Sequence, residues 1–300
     1  MIHLYRVIIK IHRVFCFALL IAILLAPSAY ALPEGSNFRY QFSKDSDGVL
    51  TRSYTYESSD EEQELPFSYS VGYNHFEQAG GHISEQSFVG RWRRELPGDQ
   101  AITLWAGVAR NNLFTFVPYS AMYDKILSPK EHVWLSFEHG TIPTVEAYNA
   151  RLYDSTYSFT YLNRMTSRLN LTTTFSKRFI NDGNQEKIAT VALEQKFNRN
   201  FKTSLIYGYD NAAFTNPGYY FVPQGQRVVS VKPEVNVDIG PGTLTAYAQE
   251  PLWARNNAGS VKYYNYGYDY QVGRFSVGYV YTKDDTYTSR VYTAKYQIEW

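Results

Sequence analysis

The chain has 300 residues, 29 Lys and Arg against 28 Asp and Glu, and a mean hydropathy of −0.37. That balance excludes a basic nucleic-acid-binding face as its organising feature. Beyond residue 31 no run approaches the roughly 20 apolar residues of a spanning helix. Aromatic residues make up 17% of the chain and 28 of them are tyrosines. An apolar ring with a polar tip suits a membrane–water boundary or the wall of a wet channel.

The first residues read as a leader. Arg6, Lys10 and Arg13 form a basic stretch, residues 14–26 an uncharged apolar run, and Ala29-Tyr30-Ala31 the small residues of a cleavage site. Residues 1–31 are therefore expected to be removed as a signal peptide, leaving residues 32–300 as one domain. Removing Arg6, Lys10 and Arg13 takes the basic count from 29 to 26, against 28 acidic residues. The single cysteine, Cys16, lies inside the leader without the small-residue context of a lipidation site, so the mature chain has no disulfide or thiol chemistry.

From there the chain alternates with period two. Phe38, Tyr40 and Phe42 alternate with Arg39 and Gln41, and Phe67, Tyr69, Val71 and Tyr73 with Ser68, Ser70 and Gly72. Val231, Val235, Val237 and Ile239 alternate with Lys232, Glu234, Asn236 and Asp238; Tyr264, Tyr266, Tyr268 and Tyr270 with Asn265 and Asp269; Phe275, Val277, Tyr279 and Tyr281 with Ser276 and Gly278. This is the pattern of strands with one apolar and one polar face. Reading strands at about 36–44, 49–58, 66–77, 82–95, 100–109, 113–126, 131–139, 148–162, 167–179, 185–197, 200–209, 226–239, 242–250, 258–271, 273–283 and 286–300 gives sixteen. Fourteen result if residues 110–130 are mostly loop. Pro233 falls where a ladder donor is needed, which predicts a bulge there.

Connections after even strands are tight, as at Leu96-Pro97-Gly98-Asp99, Asn198-Arg199, Gly240-Pro241 and Val272-Gly273, whereas Gly140 to Ala147, Asp210 to Gly225 and Pro251 to Asn257 are long. Short periplasmic turns and longer external loops are the habit of outer-membrane barrels. Ser59 to Leu65, long for a periplasmic turn, departs from it. The fold expected is therefore all-β, a transmembrane antiparallel up-and-down β-barrel with its apolar face outward. A secreted β-sandwich also alternates, but its core would favour aliphatic residues over a row of four tyrosines, and no blade repeat suggests a propeller.

The last stretch sharpens the reading. Tyr292, Ala294, Tyr296, Ile298 and Trp300 share one face up to the final residue, which resembles the C-terminal assembly signal of bacterial outer-membrane barrels, although most of those end in Phe. Tyr292, Tyr296, Ile298 and Trp300 are the expected signal. Together with Ser176-Lys177-Arg178-Phe179 before Asn181-Asp182-Gly183-Asn184, and with Gly218-Tyr219-Tyr220-Phe221-Val222-Pro223 after a long loop, the chain resembles the YaiO-type outer-membrane barrels. Those are similar to the barrel domains of bacterial exopolysaccharide exporters. The resemblance implies location in the bacterial outer membrane, insertion by the barrel-assembly machinery, and a role as conduit or anchor for an envelope polysaccharide. No helical repeat precedes the barrel, so a periplasmic scaffold would come from another chain.

Candidate chemistry is thin. His75, Ser84, Ser87 and Glu85 stand on neighbouring strands and could approach as a hydrolase site, and His82 with Glu85, or His132 with His139, could share a metal, but neither spacing is a closed site. The expectation is no enzyme, no metal and no cofactor. The lumen is expected to carry Arg39, Lys232, Glu234, Asn236, Asp238, Asp269, Arg274 and Lys295, with Asn265, Gln271, Gln297 and Glu299 among them. Mixed signs there argue against strong ion selectivity, and amide, carboxylate and aromatic groups suit carbohydrate hydroxyls and sugar faces. A general porin or a plugged structural barrel is the alternative, and a barrel lipid hydrolase or acyltransferase a more distant one.

Overall fold

The computed structural model describes residues 36–46, 48–58, 66–79, 81–214, 224–284 and 287–298. The expected signal peptide, the 59–65 connection, Gly218 to Pro223, Glu299 and Trp300 lie outside them. The described residues form one closed antiparallel barrel of sixteen strands. They are β1 Ser36–Asp45, β2 Leu50–Glu57, β3 Phe67–Gln78, β4 Gly81–Leu96, β5 Gln100–Asn111, β6 Tyr119–Ser128, β7 Glu131–Thr141 and β8 Tyr153–Arg164. The second half is β9 Leu169–Ile180, β10 Gln185–Lys196, β11 Phe201–Ala212, β12 Gln226–Ile239, β13 Gly242–Asn256, β14 Tyr263–Val272, β15 Phe275–Asp284 and β16 Thr288–Ile298. Two-residue bridges, Thr115–Phe116 and Gly259–Ser260, precede β6 and β14 on the same partner strands. Each strand pairs with its neighbour in sequence, and β16 closes on β1 with Phe38 opposite Tyr296 and Arg39 opposite Lys295.

Closure imposes a test that an open sheet would not. Residues directly opposite share a face, so the alternation must return to its own phase after a full circuit. It does. Phe42 faces with Tyr292, Tyr292 with Tyr279, Tyr279 with Tyr268, Tyr268 with Ala246 and Ala246 with Val235. The same face continues through Phe201, Leu205, Leu193, Leu171, Phe175, Phe159, Leu135, Tyr123, Ile102, Leu104, Trp92 and Phe67, and by way of Val71 and Tyr56 back to Phe38. Many of these side chains are exposed, Phe67 at 63% and Phe175 at 52% among them. Apolar rings standing free on a barrel's outer face are what a lipid-facing wall requires. The other face carries buried polar groups, including Glu85, Thr103, Asp124, Glu186 and Ser230.

Four local expectations need correction, the first being the long loop at Pro251 to Asn257, which is strand because β13 runs to Asn256. β12 has no bulge at Pro233: its register against β13 is unbroken there, and the irregularity falls between Val229 and Ser230. The strand expected from residue 148 starts at Tyr153, because Val145–Asn149 is a helix, α1. The strand expected from residue 113 becomes the Thr115–Phe116 bridge and then β6, separated at Val117-Pro118.

Candidate functional site: the bore and the segment across it

Helix α1 follows from local sequence. Pro143 precedes Thr144, which caps the helix by accepting the Ala147 N–H at 3.1 Å. Arg151 ends it in a left-handed conformation, φ 53°. The exit is tied down by Asn181, which donates to the Arg151 carbonyl at 3.1 Å and accepts from the Tyr153 N–H at 3.0 Å.

This segment touches two walls. On one side Ile142, Ala147 and Leu152 pack with Ile180 of β9 and Ala212 of β11. On the other, Val145 and Tyr148 pack with Phe76 of β3 and Ile83 of β4, with Phe114 of the β5–β6 connection against them. Strands β3 and β4 lie five or more strands from β9 and β11 in either direction around a ring of sixteen. One short segment reaches both only by crossing the bore. That crossing also fixes which face is inward: the one carrying Phe76, Ile83, Ile180 and Ala212.

Tyr148 is the anchor. It is 1% exposed, packs with its ring tilted 34° to that of Phe76 at a centroid distance of 5.4 Å, and donates its hydroxyl to Glu85 Oε2 at 2.6 Å. The Thr141 hydroxyl donates to the Tyr148 oxygen at 3.0 Å, and Asn74 Nδ2 donates to Glu85 Oε1 at 3.1 Å. Burial, and then the negative charge of Glu85, hold the phenol's pKa well above its ordinary value. The phenol stays protonated and keeps its donor. A hydrogen bond to a carboxylate of this kind is worth about 1.5–3 kcal/mol.

Charges join the inner wall both beside the crossing segment and toward the opposite strand ends. Arg178 reaches Asp154 at 2.5 Å and Glu186 at 3.2 Å; Arg93 reaches Asp124 at 3.3 Å; Lys202 lies between Glu194 at 3.0 Å and Glu234 at 3.1 Å. Aromatic groups stand among them. The His132 ring lies 3.8 Å from that of Trp134, Arg91 lies over Trp105 and Lys232 over Tyr247. The bore can thus offer charged groups and ring faces together.

The register places Arg39, Lys232, Glu234, Asn236, Asp238, Asp269 and Lys295 on this inner face, with Asn265, Gln271 and Gln297. Arg39 lies 3.9 Å from Glu57, and Asn236 accepts from Thr245 at 2.8 Å. Arg274 is the exception, since it sits in the turn between β14 and β15 and accepts the Gln297 N–H through its carbonyl. Tyr292, Tyr296 and Ile298 share the outer face. Tyr148, Glu85 and Arg178, which tie the bore together, and the ring-bearing Trp105 and Trp134 are not among the expected lumen residues. Phe76, Ile83, Ile180 and Ala212 were the available signal, being apolar residues in the polar phase of their strands.

The four candidate hydrolase residues do not assemble. His75 Nδ1 lies 2.9 Å from Ser84 Oγ on the outer face, but Glu85 and Ser87 point to the bore. His139 and Ser155 make the same 2.9 Å pair elsewhere on the outer face, so the motif is a repeated cross-strand contact. His82 and Glu85 lie on opposite faces, as do His132 and His139, which rules out a shared metal for either pair.

No family model matches this chain, and no curated protein matches it. Among solved structures it is similar to a bacterial polysaccharide outer membrane secretin, with TM-score 0.65 and 9% identity over 88% of this chain and 98% of that one. It is also similar to CdiB from Acinetobacter baumannii, with TM-score 0.53 and 8% identity, spanning 88% of this chain and 60% of that one. At these identities the likeness is one of fold: the chain has the architecture of outer-membrane β-barrels.

Proposed function

We propose that this protein sits in the bacterial outer membrane as a non-enzymatic conduit or anchoring component for an envelope or extracellular polysaccharide, as a YaiO-type barrel would. The observation that carries the conduit reading is the polar, aromatic-studded inner wall. Polysaccharide is favoured by the ring faces of Trp105, Trp134 and Tyr247 beside charged neighbours, and by the fold likeness to a polysaccharide secretin over 88% of this chain. A plugged or general-diffusion barrel is the second reading, and the α1 crossing is the observation in its favour.

Purified protein in planar bilayers tests the choice. Stepwise conductance blocked by oligosaccharide supports the conduit, unblocked conductance supports a porin, and no conductance supports a plugged barrel. Deletion that leaves surface polysaccharide unchanged, with a pore indifferent to sugars, would remove the polysaccharide assignment.

A further inference from the structure

The outer face carries like charges directly opposite one another at three places: Lys44 with Arg290, Lys177 with Lys187, and Arg227 with Arg255. All three lie within four residues of the strand ends that carry the β7–β8 loop. None of the six forms an ion pair with a carboxylate among the described residues. Like charges directly opposite on an antiparallel ladder destabilise it. Aromatic rings beside Lys177, Arg227 and Arg290 offset part of that cost, and an anion from outside the protein would offset the rest. Cationic side chains are tolerated on a lipid-facing wall at the interface, where they cost about 0–1 kcal/mol, but not at its midplane.

One pair has a second feature. Lys177 and Lys187 border an apolar concavity of about 910 Å³ on the outer wall, lined by Tyr157, Phe159, Phe175 and Tyr209 among others. On β9 and β10 the lysines are the lining residues nearest the loop end, with Phe175 and Ala189 below them. The Lys177 ammonium lies 4.5 Å from the centroid of the Phe179 ring, a contact that leaves its positive charge unneutralised.

We propose that this is a binding site for a phosphorylated lipid, its phosphate held between the Lys177 and Lys187 ammonium groups and its acyl chains lying in the concavity. The phosphate cancels the repulsion and the apolar floor excludes water from the chains. The site requires only that the outer face meets a lipid leaflet, so a barrel that conducts nothing would still have it.

Thermal unfolding of the purified barrel in zwitterionic detergent tests this with three probes: an acylated glucosamine disaccharide bearing two phosphates, the same lipid dephosphorylated, and inorganic phosphate. The phosphorylated lipid should raise the unfolding midpoint and the other two should not. Lys187→Gln without lipid should be at least as stable as the native barrel, because the repulsion is gone, and should lose most of the lipid response. The pair Lys177→Arg and Lys187→Arg should retain it. An equal shift from the dephosphorylated lipid, full reproduction by inorganic phosphate, an unchanged response in Lys187→Gln, or destabilisation of the lipid-free barrel by that substitution would each overturn the proposal.

Discussion

The inner wall of this barrel has two chemistries on one face of the same strands. Near the loop end it presents Phe76, Ile83, Ile180 and Ala212, all buried against the segment that crosses the bore. Toward the strand ends that include Ser36 and Ile298 it presents Arg93, Asp124, Lys202, Glu194 and Glu234, joined in pairs. An antiparallel barrel wall puts polar side chains inward because water lies there. Where the inward side chains turn apolar, water has been displaced by protein. The apolar patches therefore mark where the crossing segment fills the bore, with Glu85 and the Arg178 group as the charged residues beside it.

The largest way to break that contrast is Tyr148→Ala. Truncating a fully buried aromatic costs about 3–5 kcal/mol, and the loss should be local, because the loop is not part of the barrel's ladder. Limited proteolysis should cut within residues 142–152 while the barrel keeps its heat-modifiable migration. Loss of the whole barrel would mean that the segment is a folding element.

Next in size, Val235→Arg puts a charge on the outer face and should destabilise by about 2–4 kcal/mol if that position lies near the membrane midplane. Glu234→Gln, one residue along, faces the bore, and the Lys202 it neighbours keeps Glu194. It should cost under about 1 kcal/mol, because Lys202 keeps a carboxylate partner and the new amide can still accept from it. Unfolding in denaturant ranks the two, and the reverse order would mean the faces are exchanged.

Glu85→Gln sharpens the comparison at its boundary. The amide still accepts from Tyr148 but without charge, so the loop should loosen by about 1–2 kcal/mol. Hydrogen exchange at Ala147 and Tyr148 should quicken while exchange in β12 stays unchanged.

The sixteen strands were legible because period-two alternation is repeated around the whole ring, and an error at one strand is corrected by its neighbours. Helix α1 was not. Five residues are too few to show a helical period, and Tyr148 with Leu152 reads equally well as the start of a strand. Thr144 after Pro143 was a cap signal, but a loop offers such residues freely. Pro233 misled for a different reason: the register keeps one offset across it, and the irregularity lies where Leu252 of β13 is the extra residue between Pro251 and Trp253. The inner anchors were hidden by the same rule that revealed the barrel, since an apolar residue in a polar phase looks like noise until the loop that covers it is seen.

Single-channel recording of the native barrel beside Tyr148→Ala tests most directly whether the segment across the bore controls passage. Release of that segment should give the variant a larger unitary conductance, one that oligosaccharide blocks. Equal conductance in the two proteins, with proteolysis confirming that the loop has been freed, would contradict it.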